Sequence, residues 1–340
     1  MKANMKQWMN DLLTAKEKKA MPVLSFPSIS LMNIGVDELI KDSSIQAKGM
    51  KMIADRVPSA ASVSMMDLSV EAEAFGSTIK VLEGEVPTVI GSIVNDPDEA
   101  EALEVPHVGA GRTGLYIEAI KKACELITDR PVFAGVIGPF SLAGRLQDVS
   151  EIMVNCYVEP EMVKTTMEKA TKFLIEYINA YKTQTGAGGV VMAEPLTGLL
   201  SPALAEEFSA PYVKEIIDAV QDDNFLVIYH NCGDNTIQQI DAILSQGAAA
   251  YHFGNAIDME EMLAKCPADA VIMGNIDPAG QIKNGTPESV REATISLMEK
   301  CCPKYPNFAI STGCDVPPFS PWENIDAFFA AVDEYYASVR

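Results

Sequence analysis

Short apolar segments alternate along the chain with longer segments of helical periodicity, and this alternation limits the fold more than any other feature. Eight short segments rich in β-branched residues predict strands at residues 22–26, 61–65, 131–137, 189–193, 225–229, 249–252, 270–274 and 308–311. Amphipathic stretches between them predict helices. Apolar strands that are each followed by a helix are typical of a parallel sheet covered by helices, and eight of them fit a closed (β/α)8 TIM barrel.

The whole chain, residues 1–340, is predicted to form a single α/β domain. Its length suits one TIM barrel, and no long linker rich in Pro, Gly or Ser divides it. Residues 1–20 predict an N-terminal helical extension, because their apolar side chains recur at helical spacing. Residues 78–94 predict a small hairpin near the barrel mouth, with its turn at Gly84. A doubly wound open sheet is the alternative, although no G-x-G-x-x-G motif follows the first predicted strand.

The charge of the chain excludes one class of partner. It carries 26 Lys and Arg against 47 Asp and Glu, a formal net charge of −21. A nucleic-acid-binding protein needs a basic surface, and no apolar run reaches the roughly 18 residues of a membrane span, so neither nucleic acid nor membrane is an expected partner. An odd count of seven cysteines and a charged N-terminus without an apolar run predict a cytoplasmic protein.

The sharpest motif is the pair His230 and Cys232 at the end of the fifth predicted strand. Side chains two residues apart on a strand emerge on the same face, so the imidazole and the thiolate can bind one ion. Cys314 lies on a loop after the eighth strand, and in a closed barrel that loop overhangs the same mouth. One His and two Cys predict a zinc site with an open fourth position, which is typical of catalytic zinc.

A zinc site with two thiolate ligands favours thiol chemistry over hydrolysis. Two thiolates reduce the net charge on the ion and make it a weaker Lewis acid for water. The same ion can bind an external thiol, remove its proton and hold the thiolate as a nucleophile at neutral pH. The sulfur could then accept an alkyl group.

Four further polar residues follow predicted strands and are expected at the same mouth: Asp67, Glu194, His252 and Asn275. Asp67 and Glu194 are candidate catalytic groups, with Glu194 as a zinc ligand or as the hydrogen-bond partner of His230. His252 and Asn275 are candidate cofactor-binding groups. His252 is either the fourth zinc ligand or a hydrogen-bonding group across the mouth, and Asn275 is also suited to hold the loop after the seventh strand.

Several segments together resemble one protein superfamily: VEAEAFG at residues 70–76, IYHNCGDN at 228–235, GNIDP at 274–278 with NGTPESV at 284–290, and STGCDVPPFSPWENI at 311–325. They resemble the uroporphyrinogen decarboxylase superfamily, and His230, Cys232 and Cys314 resemble the zinc ligands of its methylcobamide:coenzyme M methyltransferase branch. The resemblance covers nearly the whole chain. It implies a TIM barrel that binds Zn²⁺. It also implies a methylcorrinoid (methylcobamide), presented by a corrinoid protein, as the methyl donor. The implied acceptor is a small thiol such as coenzyme M, whose sulfur takes the methyl group while it is bound to zinc.

Two other functions stay open at this stage. The first is a uroporphyrinogen decarboxylase-like decarboxylase, because Asp67 lies where those enzymes carry their catalytic Asp. Against it, the matching N-terminal region contains no Arg, and the chain has only six arginines with which to bind a substrate of many carboxylates. The second is a non-catalytic corrinoid- or pterin-binding module. For a methyltransferase, the acceptor is coenzyme M, another thiol or a folate.

Overall fold

A parallel sheet of seven strands organises residues 3–340, which are the residues that the computed structural model describes. The strands of these residues are β1 Ser62–Val63, β2 Thr78–Leu82, β3 Glu85–Ile90, β4 Val132–Ile137, β5 Gly189–Ala193, β6 Leu226–Asn231, β7 Ala250–Phe253, β8 Val271–Ile276 and β9 Phe308–Thr312. The sheet has the order β1-β4-β5-β6-β7-β8-β9, and every neighbouring pair in it is parallel.

Helices follow the strands and cover the sheet. They are α1 Met5–Thr14, α2 Ser28–Met32, α3 Val36–Leu39, α4 Ser43–Arg56, α5 Val70–Ala74, α6 Pro97–Ala102, α7 Thr113–Leu126, α8 Pro139–Gln147, α9 Val149–Val158, α10 Pro160–Gln184, α11 Pro202–Phe208, α12 Ala210–Val220, α13 Ile240–Ser245, α14 Met259–Lys265, α15 Pro287–Cys301 and α16 Trp322–Ser338. Proline is the first residue of α6, α8, α10, α11 and α15, because an N–H at that position would have no partner within the helix. Between residues 3 and 340, no helix is both long and apolar enough to cross a membrane.

Seven of the eight predicted strands are confirmed, and Gly189–Ala193 has the predicted bounds. The prediction of a strand at residues 22–26 is wrong. Pro22 has no N–H to donate, and the N–H of Val23 donates to the side-chain oxygen of Thr312 (3.2 Å) instead of a backbone carbonyl. A regular ladder of backbone hydrogen bonds therefore does not form along this segment.

The segment of residues 20–24 nevertheless lies between the two edges of the sheet. Beside β9, the N–H of Met21 donates to the carbonyl oxygen of Ile310 (3.0 Å). Just before β1, the N–H of Ala60 donates to the carbonyl oxygen of Ala20 (2.8 Å). Because two consecutive residues contact both edges, the sheet is curled and its edges face each other across this segment.

Side chains alternate between the two faces of the sheet. One face, here called the inner face, joins α1 to alternate strand residues, including Phe133, Val191, Ile228, Met273 and Ala309. The outer face packs against the covering helices and includes Ala134, Val190, Val227, Ile272 and Ile310. Both faces are buried, as in other parallel sheets. This period of two determines where the polar residues at the strand ends point.

The predicted N-terminal helix is confirmed as α1, and it covers one end of the inner face. Met5 and Leu12 are buried in the inner-face cluster. The indole nitrogen of Trp8 donates to the carbonyl oxygen of Ala60 (2.9 Å), and its ring lies 5.2 Å from the ring of Phe133. Because Phe133 is near the start of β4, α1 lies at the amino-terminal ends of the strands and leaves their carboxyl ends open.

The predicted hairpin is also confirmed, as the antiparallel pair β2 and β3. The carbonyl oxygen of Glu83, in the turn, accepts a hydrogen bond from the N–H of Val36 (2.7 Å). The neighbouring Gly84 lies against Phe319 in the loop after β9. The turn of the hairpin therefore lies at the carboxyl end of the sheet, as predicted.

Candidate metal site

His230, Cys232 and Cys314 come together at the carboxyl ends of β6 and β9. One ligand atom from each residue, the imidazole nitrogen or the sulfur, lies within 4.8 Å of the other two. A tetrahedral zinc ion with bonds of about 2.0–2.3 Å needs ligand atoms about 3.5–4 Å apart, so the three side chains need only small movements to hold one. The sequence placed these residues at one mouth, and the structure brings them into one group.

One ring nitrogen of His230 has no hydrogen-bond partner among the described residues. Its Nε2 atom is buried and has no hydrogen-bond partner among the described residues, while its Nδ1 contacts the carbonyl oxygen of His252 (3.2 Å). Buried polar atoms nearly always have a partner, so a lone ring nitrogen beside two thiols is the arrangement expected of a metal ligand. The residues at this site therefore fit a zinc ion.

The two thiols share a hydrogen bond. The S–H of Cys314 donates to the sulfur of Cys232, which lowers the pKa of Cys232. The same bond, together with burial, raises the pKa of Cys314 to about 12. The shared hydrogen bond thus makes Cys232 the more acidic of the two thiols, and metal binding would require both sulfurs to lose their protons.

Close contacts between loops hold the two cysteines in position. A Cβ atom at Gly254, in the loop after β7, would lie 2.5 Å from the Cα and Cβ of Cys232, so only glycine leaves room there. On the other side, the carboxylate of Asp315 accepts a hydrogen bond from the N–H of Met66 (2.8 Å). The loop that carries Cys314 is thereby fixed to the segment that follows β1.

His252 contacts His230 and a serine. Its Nδ1 lies 2.8 Å from the Nδ1 of His230, and its Nε2 lies 2.8 Å from the hydroxyl oxygen of Ser311. Burial lowers the pKa of His252 well below the usual value. Both ring nitrogens of His252 therefore contact protein groups. Of the two roles that the sequence allowed, fourth zinc ligand or hydrogen-bonding group, these contacts favour the second.

Glu194 points away from His230, contrary to one of the sequence alternatives. Val191 and Ala193 face the inner side of the sheet, so the period of two turns Glu194 to the outer side. Its carboxylate accepts hydrogen bonds from the N–H groups of Phe140 and Ser141 and from the hydroxyl of Ser141 (2.6–2.9 Å). Glu194 contacts His230 only through the backbone.

The carboxylate of Glu194 therefore lies at the N-terminus of α8, where helix N–H groups bind anions. It is fully buried, and this burial raises its pKa to about 7. Its assignment as a catalytic group stays a prediction, because nothing in these contacts joins the carboxylate to the three candidate ligands.

Asp67 belongs to a separate polar cluster, here called the Asp67 cluster, made of Asp67, Ser69, Arg112 and Tyr116. Arg112 and the hydroxyl of Tyr116 donate to one carboxylate oxygen of Asp67, and the hydroxyl of Ser69 donates to the other. Arg112 also pairs with Glu73 (2.6 Å). The side chain of Asp67 is fully buried, and both of its oxygens have partners, so its predicted catalytic role would require the cluster to open.

Asn275 holds a loop of the mouth. Its side-chain amide donates to the carbonyl oxygens of Gly254 and Ile257 (2.9 and 3.0 Å). Gly254 and Ile257 follow β7, so Asn275 holds the loop that precedes its own strand, β8. The sequence pattern instead predicts that Asn275 holds the loop after that strand. The following loop is held by Asp277, whose carboxylate accepts from the N–H groups of two residues in it. The cofactor-binding role of Asn275 stays a prediction.

Sequence reasoning missed two residues near these groups. Ser311 contacts His252 across the inner face, and its position two residues after the inward Ala309 is a signal that could have identified it. Arg112 pairs with Asp67 from 45 residues further along the chain, and no local pattern indicates that contact. Glu71, in the first turn of α5, is buried as well.

The fold and the site together define an α/β protein with a candidate three-ligand metal site at the carboxyl ends of a curled parallel sheet. A family model described as uroporphyrinogen decarboxylase (URO-D) matches residues 20–335, and the chain belongs to this family.

Relatives of two kinds are similar to the chain. The methylcobamide:CoM methyltransferase MtbA of Methanosarcina acetivorans is 28% identical over 273 residues, which cover 79% of this chain and 78% of that protein. The uroporphyrinogen decarboxylase of Prochlorococcus marinus is 25% identical over 254 residues, which cover 71% of this chain and 70% of that protein. A solved structure described as a methyltransferase from Methanosarcina mazei superposes with a TM-score of 0.85 at 22% identity, covering 98% of this chain and 99% of that one, and thus has the same fold.

Proposed function

We propose that this protein transfers a methyl group from a methylated corrinoid to a thiol such as coenzyme M, with zinc at His230, Cys232 and Cys314. The observation that carries the proposal is His230, which groups with the thiols of Cys232 and Cys314 and whose buried Nε2 has no partner among the described residues. The names of the methyltransferase relatives support the same reaction. When bound, zinc supplies a positive charge that lowers the pKa of the acceptor thiol and keeps its sulfur nucleophilic.

The chain itself supplies the binding and the access. His230, Cys232 and Cys314 would hold zinc through three protein donors, and the ion would still be able to bind the substrate sulfur. His230 is buried, whereas Cys232 and Cys314 are partly exposed, so the acceptor thiol reaches the group from the side of the cysteines. The methyl donor is a large ring, which a corrinoid protein would present at the same mouth. Because this chain carries a net charge of −21, a partner with a basic docking surface suits it.

We further propose that residues 20–24 close the curled seven-stranded sheet into a barrel by taking the place of an eighth strand, and that residues 1–340 act as one domain. Hydrogen bonds from this segment to both edges of the sheet support closure. The full-length match to one solved structure supports a single domain. Thiol ligands need a reducing environment, which supports a cytoplasmic location.

Decarboxylation of a porphyrinogen-like acid is the alternative, and the decarboxylase relatives favour it. Five of the six arginines, however, already pair with carboxylates of the chain: Arg56, Arg112, Arg130, Arg291 and Arg340. Binding a substrate with many carboxylates would have to compete with these pairs. We therefore rank this alternative second.

The proposal is tested by the zinc content of protein purified without oxygen. The wild type and a Cys266→Ala control are expected to hold about one zinc ion per chain, and Cys314→Ala to hold almost none. Cys266 suits the control because it caps the carboxyl end of α14, before β8 begins, and is not part of the candidate ligand group. Thiol-dependent demethylation of methylcobalamin, followed by absorbance, should track the zinc content.

Each contrary result points to another function. A folded wild type that binds no zinc even when zinc is supplied would contradict the proposal and make decarboxylation through Asp67 the leading function. Zinc binding without thiol-dependent demethylation would instead favour a non-catalytic corrinoid- or pterin-binding module.

A further inference from the structure

A chain of four hydrogen-bonding groups crosses the inner face of the sheet and begins at His230. The Nδ1 of His230 lies 2.8 Å from the Nδ1 of His252, and the Nε2 of His252 lies 2.8 Å from the hydroxyl oxygen of Ser311. The hydroxyl of Ser311 donates to the carbonyl oxygen of Met21 (2.7 Å). The chain thus joins β6, β7 and β9 to the segment of residues 20–24, and both imidazoles and the serine are buried.

Carbonyl oxygens at the two ends fix the direction of these hydrogen bonds, because a carbonyl oxygen can only accept. At one end, the Nδ1 of His230 contacts the carbonyl oxygen of His252 (3.2 Å), and this contact is a hydrogen bond only when Nδ1 carries the proton. At the other end, the proton of the Ser311 hydroxyl points to Met21. The hydroxyl oxygen of Ser311 then accepts from the Nε2–H of His252.

The imidazole of His252 satisfies both neighbours in only one neutral form. Its Nε2 carries the proton that Ser311 accepts, and its Nδ1 offers a lone pair to the Nδ1–H of His230. With a proton on Nδ1 instead, His252 would place an N–H against the N–H of His230. Two donors facing each other at 2.8 Å in a buried site repel, so the opposite tautomer is excluded.

We propose that His252 and Ser311 are positioning residues that hold His230 in the tautomer protonated on Nδ1, so that its Nε2 lone pair faces Cys232 and Cys314. A neutral imidazole binds a metal through its unprotonated nitrogen, and a hydrogen bond at the other nitrogen fixes which one that is. The buried Nε2 without a partner is the end of this chain. His252 thereby acts through His230 and is not a fourth ligand.

This proposal rests on the proposed function only for the identity of the metal, because the tautomers can be observed without methyl transfer. The chain has three histidines, His107, His230 and His252, so ¹⁵N-histidine labelling gives a simple spectrum. In the metal-free protein we expect His230 protonated on Nδ1 and His252 protonated on Nε2. The spectrum of a His107→Ala variant identifies the signals of the exposed third histidine.

Loading the wild type with ¹¹³Cd²⁺ tests which histidine binds the metal. We expect a cadmium–nitrogen coupling to the Nε2 of His230 and none to His252. A coupling to His252, or a His230 protonated on Nε2 in the metal-free protein, would overturn the proposal. Because these spectra use the wild-type chain, they do not depend on any variant folding.

Two pairs of variants separate positioning from packing, with zinc affinity measured by competition with a chelator. His252→Leu fills the space without an acceptor and should weaken zinc binding about tenfold, the lower end of the usual range because the backbone carbonyl of residue 252 remains. His252→Gln keeps one acceptor and one donor and should restore most of the affinity. Ser311→Ala should weaken zinc binding and give His252 a mixture of tautomers, and Ser311→Thr should restore both.

A merely structural role would give a different pattern. If His252→Leu and Ser311→Ala leave the zinc affinity and the tautomer of His230 unchanged, the hydrogen-bond chain does not position the ligand and the proposal fails. If His252→Gln is as weak as His252→Leu, the side chain of His252 acts by a direct contact that glutamine cannot supply, and the proposal also fails.

Discussion

Two buried polar groups lie at the carboxyl ends of the strands, and they differ in whether their atoms have partners. In the Asp67 cluster, both oxygens of Asp67 accept hydrogen bonds from Arg112, Tyr116 or Ser69. In the candidate metal site, the Nε2 of His230 has no partner among the described residues. The satisfied atoms of the Asp67 cluster indicate a structural role. Buried polar atoms without a partner also occur elsewhere, as in Glu71, but the open nitrogen of His230 belongs to a residue grouped with two thiols, and this set of donors suits a metal ion.

The largest expected effect is the loss of zinc binding at the candidate metal site, where the Nε2 of His230 has no partner among the described residues. His230→Ala should abolish zinc binding and lower thiol-dependent methyl transfer to the background rate, because two thiols alone do not complete a catalytic zinc site. His107→Ala is the matched control, since His107 is exposed and outside the candidate ligand group, and it should keep both properties. Zinc content and demethylation of methylcobalamin measure the two effects. If His230→Ala still holds a full complement of zinc, His230 is not a metal ligand, and the contrast between the candidate metal site and the Asp67 cluster fails.

The second prediction concerns the Asp67 cluster, in which both oxygens of Asp67 have partners. Arg112→Met leaves the charge of Asp67 buried without its cation and should lower the free energy of unfolding by about 3–5 kcal/mol, while the zinc content of the folded protein stays the same. Urea unfolding and metal analysis measure this. Arg291→Met, which breaks an exposed pair with Glu334, is the control and should change the free energy by less than about 1 kcal/mol.

A second substitution sharpens this test. Replacing the buried acid as well, in Arg112→Met with Asp67→Asn, should recover part of the lost stability because no unpaired charge remains. Loss of zinc from a folded Arg112→Met protein would show that the Asp67 cluster belongs to the metal site after all.

Glu71 provides a third case, a buried carboxyl group without a cation at hydrogen-bond distance. One of its oxygens accepts from the N–H of Ile137 (3.1 Å), and the other has no partner among the described residues. Burial raises the pKa of Glu71 to about 7, from 4.5 for an ordinary glutamate. The folded state therefore keeps a proton that the unfolded chain loses, and stability falls as the pH rises from about 4.5 to about 7.

Glu71→Gln should remove this pH dependence and raise the free energy of unfolding at pH 8, relative to the wild type, by up to about 3 kcal/mol. At pH 4, where the wild-type group is protonated in both states, the two proteins should differ little. Urea unfolding at both pH values measures the difference. Glu176→Gln, on an exposed helix position, is the control. If the free energy of unfolding changes by the same amount in the wild type and in Glu71→Gln between pH 4 and pH 8, the pKa of Glu71 is not raised in the folded protein and the prediction is wrong.

The smallest expected effect concerns the backbone around the open group. Gly254→Ala places a methyl group 2.5 Å from the Cα of Cys232, so the cysteine must shift and zinc affinity should fall about tenfold with the fold intact. Gly114→Ala, whose methyl group would meet only an ordinary contact at 3.4 Å, should leave zinc binding unchanged. Chelator competition measures both. Equal affinities for the two variants would mean that the loops adjust without moving the ligand.

Much of this arrangement was predictable from the sequence. Seven strands, the helix α1 and the hairpin follow from periodicity and turn residues, and the spacing of His230 and Cys232 predicted that they share a face. The irregular course of residues 22–26 was not predictable, because their pattern predicts a strand while the N–H of Val23 donates to the side chain of Thr312, almost 300 residues away. The orientation of Glu194 was available from the period of two, but only once the inner face was known.

The sequence by itself determined the alternation of strands and helices, the acidic surface and the identities of the three candidate ligands, because each of these is a property of residue type and local spacing. The tertiary structure decided which polar atoms find partners. It paired Asp67 with Arg112, turned Glu194 to a helix terminus, and set His252 and Ser311 behind His230. Hydrogen bonds and buried charges depend on distances between residues that are remote in the chain. Only the folded sheet therefore distinguishes the Asp67 cluster, where both oxygens of Asp67 have partners, from the candidate metal site, where the Nε2 of His230 has none among the described residues.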